Sequence, residues 1–289
     1  MAITDNVLTS RSRLSATPAE VYRALTDPEV LRSWLAEHVD VSIPDGRFAF
    51  WGRGTPEREP GRQRLLEVED DRRLKLSWQL DGGETTTELV LEADEPGNTV
   101  LTLTQTGVPS WAEMSPSADI RVSIVLFWGV AVANLADHIE GREPVPLCDF
   151  GPDRSAEATA SITIAAPPET VFPSLLEPKQ LERWGGWDAE VEPRVGGTFV
   201  LNSGSEPGKI LELDFPRALT YTVVPGQVVH WELSGSEGRT YLSMVHSGFD
   251  DPAAAAQQEV GWVSALLELR RLHELGPAWR PVSLEFSIA

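Results

Sequence analysis

Two stretches of this chain, 150 residues apart, carry nearly the same pattern. Residues 18–34 read PAEVYRALTDPEVLRSW and residues 168–184 read PETVFPSLLEPKQLERW. At that offset Pro18 meets Pro168, Val21 meets Val171, Tyr22 meets Phe172, Pro28 meets Pro178, Leu31 meets Leu181 and Trp34 meets Trp184. The matched positions are apolar residues and helix-boundary prolines, the ones a fold needs. A repeat of roughly 20–50 residues would mean a solenoid, whereas one near 150 is the size of a whole domain. The chain therefore reads as a tandem of two like-folded domains. With 289 residues, each half has enough length to bury its own core.

Composition narrows the partners. Net charge is −20, shared between residues 1–150 (14 basic, 25 acidic) and residues 151–289 (10 basic, 19 acidic). Neither half offers the clustered Lys and Arg that phosphate binding requires, so nucleic acid and anionic membranes are not expected partners. The single cysteine, Cys148, excludes an internal disulfide and a cysteine-based zinc site. The first residues, MAITDNVLTSRS, lack the apolar core of roughly 7–15 residues that marks a signal peptide. The longest apolar run, IVLFWGVAV (Ile124–Val132), falls far short of the roughly 20 residues that span a bilayer. A soluble, cytoplasmic protein is the expectation.

Residues 1–142 predict one domain. Asn6–Ser15 suits an edge strand, and Thr17-Pro18-Ala19-Glu20 is a capping box opening a helix that Pro28 ends. A second short helix reaches Trp34. Strand signals follow at Val39–Ile43, Phe48–Trp51, Gln63–Val68, Leu74–Leu80, Thr85–Glu92 and Thr99–Gln105, joined by turns such as Asp81-Gly82-Gly83 and Pro96-Gly97-Asn98. Connections this short imply an antiparallel meander. Residues 117–140 then return to helical periodicity. A linker rich in Pro and Gly fills 143–155. Residues 156–276 repeat the order: a strand at Ala158–Ile164, helices at Pro168–Leu176 and Pro178–Trp184, six strands from Asp188 to His246, and a helix from about Pro252 to Leu275. Gly46 aligns with Gly197, Leu74 with Leu219, Gly107 with Gly248 and Gly129 with Gly261. The tail, 277–289, contains VSLEFSI, which reads as an extra strand or as a clasp between domains.

The predicted fold class is α+β: two tandem units, each a curved antiparallel sheet of six or seven strands wrapped around a long C-terminal helix, with two short helices after the first strand. A single helix cannot fill the inner face of a curved sheet, so a pocket between them is expected. The segment TPAEVYRALTDPEVLRSW, the run Gly46-Arg47-Phe48, and the pairs Trp128-Gly129 and Gly261-Trp262 resemble the START-like (SRPBCC, helix-grip) superfamily. Within it they are similar to the branch of the activator of heat-shock protein 90 ATPase C-terminal domain. The resemblance covers about 140 residues in each half. It implies ligand carriers, hormone receptors, polyketide aromatase/cyclases, antibiotic-binding proteins or a co-chaperone module, and so does not decide among them.

Tryptophan is unusually abundant, with ten residues including Trp111. Candidate cavity-lining residues are Trp34, Trp51, Trp78 and Trp128 in the first half and Trp184, Trp231 and Trp262 in the second, each equally at home in a core. Among five histidines, His230 and His246 lie on consecutive strands. Pairing His230 with Ser243 places the two on opposite faces, which leaves one of them, His230, as a cavity candidate. Arg47, Arg64, Arg121, Arg194 and Arg239 are candidates for a buried cyclase-type arginine. No catalytic triad, phosphate loop, dinucleotide fingerprint or metal-ligand spacing occurs, so no cofactor, metal or catalytic residue is assigned. The leading expectation is a non-catalytic carrier, sensor or sequestering protein that binds a small apolar or aromatic molecule. The alternatives are a polyketide aromatase/cyclase-like enzyme and a protein-interaction module with a chaperone partner by analogy.

Overall fold

The computed structural model describes residues 6–56, 58–80, 83–110, 120–145, 147–149, 153–202 and 205–289. Trp111, the turn residues Asp81 and Gly82, and parts of the linker lie outside the described residues, as does the side chain of Arg121. The chain forms two compact units, one from Met1–Gly151 with Pro281–Ala289 and one from Pro152–Arg280.

In the first unit the order is β1 (Val7–Leu14), α1 (Pro18–Thr26), α2 (Pro28–Trp34), β2 (His38–Ser42), β3 (Arg47–Trp51), β4 (Gln63–Glu69), β5 (Arg73–Leu80), β6 (Gly83–Ala93), β7 (Thr99–Thr106) and α3 (Ile120–Ile139). The capping box is formed: Glu20 N donates to Thr17 Oγ1 at 3.4 Å, and Thr17 N donates to Glu20 Oε2 at 2.8 Å. Asp27 then caps α2 by accepting from Glu29 N and Val30 N, so one residue ends one helix and begins the next. The hairpin β2-β3 stands apart from a six-stranded antiparallel sheet that contains the other strands. Leu74, Leu76 and Trp78 alternate inward along β5 and meet Ile124, Phe127, Trp128 and Leu135 of α3 in one core.

The second unit runs β8 (Ala158–Ile164), α4 (Pro168–Val171), α5 (Pro178–Gly185), β9 (Glu190–Val191), β10 (Thr198–Val200), β11 (Gly208–Asp214), β12 (Ala218–Thr222), β13 (Val228–Ser236), β14 (Arg239–Ser247) and α6 (Pro252–Leu275). Its seven strands form one antiparallel sheet in the order β8-β14-β13-β12-β11-β10-β9. A mixed α+β architecture with two grip-like sheets, each closed by a long helix, is thus the fold. Among the described residues no helix is long and apolar enough to cross a membrane.

Three local expectations need correction. Strand β1 is not an edge: β15 (Ser283–Ile288) pairs antiparallel with it, Leu8 opposite Ile288, while β7 lies on the other side. Among the described residues its counterpart β8 pairs with β14 alone and is the edge. The helix expected over 168–176 stops as an α-helix at Val171 and tightens into a 3-10 turn over Phe172–Leu175, because Pro173 has no N–H to give. Finally, β13 and β14 are joined by the two-residue turn Glu237-Gly238, both with positive φ (55° and 76°), the geometry that suits strand twist. That turn sets His230 opposite Val245 rather than Ser243.

Candidate functional site

A cavity of about 520 Å³ opens in the second unit. Its walls come from the end of α5 and the loop after it (Trp184, Trp187), from β10 and β12 and the residue that follows each (Phe199, Leu201, Tyr221, Val223), from β14 (His246) and from α6 (Gly261, Trp262, Glu268). The space therefore lies between the sheet and the helix that closes it.

Each aromatic group is fixed by a contact that the local sequence dictates. Trp184 is buried at the end of α5, where its indole Nε1 donates to Ser174 O at 2.8 Å. The helix ends in Trp184-Gly185-Gly186-Trp187. Gly186 takes a left-handed conformation (φ 71°), and Gly185 has no Cβ because one would overlap the Trp187 ring. The chain thus folds Trp187 back onto its own helix end, edge-to-face with Trp184 (4.9 Å, 79°) and with Trp262 (5.4 Å, 65°). Across the cavity Phe199 stacks on Tyr221 at 3.7 Å.

His246 is buried on this wall with both ring nitrogens engaged. Trp262 Nε1 donates to its Nδ1 at 3.2 Å, so Nε2 carries the proton and donates to Gln227 Oε1 at 3.1 Å. Burial pushes its pKa down from 6.5 to about 4, and the ring is neutral near pH 7. Tyr221 is fully buried, which raises its phenol well above the ordinary range, and its oxygen accepts from Trp231 Nε1 at 3.3 Å. Of the groups that face the space, His246 and Tyr221 are therefore each held in one protonation state. Among the described residues no cluster of three or more His, Cys, Asp or Glu could hold a metal ion.

Of the residues named from sequence, Trp184 and Trp262 line this cavity. Trp231 stands behind the wall, 5.4 Å edge-on to Trp262. His230 lies on the opposite, outer face of β13, where its Nδ1 shares a 2.8 Å hydrogen bond with Thr220 and its side chain is 41% exposed. The one-residue alternation of a strand puts it there, since Trp231 points inward. Trp51 also faces outward, tilted against His38 at 5.6 Å, while its neighbour Phe50 fills the interior. Trp34, Trp78 and Trp128 belong to the core of the first unit. Arg47, Arg64, Arg194 and Arg239 are exposed, Arg47 paired with Asp40 and Asp45 and Arg194 with Glu192. Sequence reasoning missed Trp187, Phe199, Tyr221 and Glu268; the Trp-Gly-Gly-Trp run was the available signal for the first.

Comparing the two units explains why this one is hollow. Gln105 and His246 occupy the same place, opposite Leu8 of β1 and Ala158 of β8, and each accepts from a helix tryptophan: Trp128 to Gln105 at 3.3 Å, Trp262 to His246. Near the helix ends, Glu140 accepts from Ser15 Oγ and Glu274 from Ala165 N, again at matched positions. These contacts superpose α3 on α6 with Trp128 on Trp262, which moves the Gly129–Gly261 alignment by two residues and sets Phe127 on Gly261. At the strand offsets, Phe50 falls on Leu201 and Trp78 on Val223. In the first unit those three rings pack together, with centroids 4.9–6.0 Å apart. In the second, Leu201, Val223 and Gly261 all line the cavity. Smaller side chains at three facing positions leave the space.

The profile of the family described as "Activator of Hsp90 ATPase homolog 1-like protein" matches residues 15–119 and again 165–274. No curated protein matches the chain in sequence. Among solved structures, the Aha1 dimer from Colwellia psychrerythraea is 22% identical over 43% of this chain and 99% of its own, with a TM-score of 0.39. CalU16 from Micromonospora echinospora is 26% identical over 39% of this chain and 73% of its own, with a TM-score of 0.35. DynU16, described as a putative protein in the dynemicin biosynthetic locus, is 20% identical over 92% of this chain and 98% of its own, with a TM-score of 0.35.

Proposed function

Because this chain belongs to the Activator of Hsp90 ATPase homolog 1-like family, helix-grip proteins that include ligand binders and cyclase-like members, we propose that its second unit binds a small hydrophobic or aromatic molecule without transforming it. The observation that carries this reading is the cavity of about 520 Å³ walled by Trp184, Trp187, Phe199, Tyr221 and Trp262. Its size lies inside the roughly 300–1,000 Å³ typical of small-molecule sites, and its wall is mostly apolar with a few polar groups, as such sites are. A cyclase-type reaction needs a group that moves a proton near neutral pH. His246 does not serve, because both its nitrogens are occupied and it stays neutral down to about pH 4. A carrier, sensor or sequestering role fits a wall on which His246 and Tyr221 are fixed. The reading is confined to the second unit, because the corresponding positions of the first hold Phe50, Trp78 and Phe127, which pack together in its core.

The test is titration with the neutral fluorophore N-phenyl-1-naphthylamine, read by its emission and by quenching of the chain's tryptophans. Saturable binding of one probe per chain, lost on plugging the cavity with Gly261→Phe, is the expected result. Absence of saturable binding, or binding unchanged by that plug, overturns the reading.

A further inference from the structure

The wall of this cavity is charged in one sense only. Among the described residues that line it there is no lysine or arginine, whereas two carboxylates, Glu206 on the rim and Glu268 on α6, are present. The one imidazole, His246, is held neutral by its two hydrogen bonds. Glu268 is half-buried and is oriented by Trp279, whose Nε1 donates to its Oε2 at 3.2 Å. Arg183, a cation in the same unit, lies over that same Trp279, its guanidinium 5.2 Å from the ring centre, and does not line the cavity.

Three indoles, Trp184, Trp187 and Trp262, stand in a row of edge-to-face contacts around the same space. Indole faces carry negative electrostatic potential and attract cations, most strongly where water is excluded. An anion entering here would lose its hydration, meet two carboxylates and find no compensating charge, which is costly in a partly buried site. A cation would exchange its water for indole faces and the Glu268 carboxylate. The protein's net charge of −20 adds a field of the same sign at longer range.

Resting on the reading of this cavity as a ligand site, we propose that it selects flat aromatic molecules that bear a protonated amine, accepts neutral ones less well and rejects anions, with Glu268 as the counter-charge. The class is a cationic polycyclic aromatic amine.

Three probes of one ring system test it on the full chain: 9-aminoacridine, a cation at neutral pH, the neutral acridine, and the anion acridine-9-carboxylate. Calorimetry in 0.5 M salt screens the long-range field and leaves short-range contacts. The expected order is 9-aminoacridine tighter than acridine by about tenfold, as one desolvated cation–aromatic contact implies, with the carboxylate weakest. In Glu268→Gln, which keeps an oxygen for Trp279 to donate to, the advantage of the cation falls severalfold while acridine binding is kept. Equal affinities for the three, tightest binding of the anion, or a preference unchanged in Glu268→Gln overturns the proposal. Failure of all three to bind refutes instead the underlying reading of the cavity as a ligand site.

Discussion

Gly261 tests whether the space in the second unit is real. It sits inside α6, where glycine is unfavourable relative to alanine by about 1 kcal/mol, because it leaves the unfolded chain more freedom. A Cβ built there meets no heavy atom within 4 Å. Gly261→Ala therefore has no packing cost to set against the propensity gain, and it should stabilise the second unit by about 1 kcal/mol, or roughly 2–5 °C in its thermal midpoint. Gly261→Phe goes further and installs the residue that Phe127 supplies at the matched position of the first unit. Its ring would occupy the cavity, and probe affinity should fall at least about tenfold, a loss of ~1.4 kcal/mol. Scanning calorimetry gives the midpoints, and hydrogen exchange of the α6 amides assigns the change to the second unit. Gly129→Ala is the control: its Cβ also meets nothing within 4 Å, so it should stabilise the first unit and leave probe binding alone. Destabilisation by Gly261→Ala would show that the site is packed against something, and the argument from open space would fail.

Other substitutions probe what surrounds that space. Arg154 and Glu259 form a buried pair at 2.8 Å with side chains only 9% and 11% exposed, and Glu259 also accepts from Thr159 N on the edge strand β8. Glu259→Ala should destabilise the second unit by about 3 kcal/mol, the low end for a broken buried pair, since the guanidinium loses its carboxylate but keeps its hydrogen bond to Glu157 O; urea melts measure it, and a loss under 1 kcal/mol would deny the pair its structural role. Gly185→Ala should push the Trp187 ring from its seat and change the near-ultraviolet circular dichroism and probe affinity together, with little change in helix content. A spectrum and affinity like the wild type would contradict the folded-back indole. His246 is neutral when folded and protonates near 6.5 when unfolded, so stability should fall as pH drops from about 6.5 towards 4. His246→Gln, the residue found at the matched position in the first unit, should flatten that slope. His273, also shifted down by burial, would leave a remnant of the same sign. An identical pH profile in His246→Gln would mean that the ring is already solvated.

Much of the fold was legible because its signals are local. Thr17 with Glu20, Pro28 and Pro178, and the alternating runs of Thr85–Glu92 and Thr240–His246 each name an element and nearly its ends. Where β15 would pair was not legible, since a six-residue strand carries no address for its partner and β1 carries no mark of being covered. The site was legible only in kind. Abundant tryptophan announced aromatic walls, but a strand's two faces differ by one residue, so Trp51 was placed on the inside in error for Phe50, and His230 was named beside Trp231 although the two point to opposite faces. The helix alignment slipped by two residues for a related reason. Gly129 and Gly261 look alike in sequence, whereas what places α3 and α6 is what their tryptophans donate to, Gln105 and His246.

The contrast between the halves carries a wider point about how a duplicated grip diverges. Opening a hole in a packed core by large-to-small substitution costs about 2–5 kcal/mol per site, because the lining loses contacts and the structure relaxes only in part. The second unit differs from the first in that direction at three facing positions, Leu201, Val223 and Gly261, and it stays folded. Its walls are pinned by hydrogen bonds, two of which have matches in the first unit, where Trp34 donates to Ala24 O and Trp128 to Gln105. Trp184 is tied to Ser174 O, Trp262 to His246, His246 to Gln227, and Trp231 to Tyr221. Each indole thus uses its one donor to hold a ring upright beside an opening into which it would otherwise collapse. In the first unit, Trp78 Nε1 is buried with no acceptor among the described residues, as befits a ring held by neighbours on every side rather than by a hydrogen bond. A wall whose rings are fixed by polar bonds loses little further freedom when a flat molecule enters, and such preorganisation is what converts a hollow into a binding site.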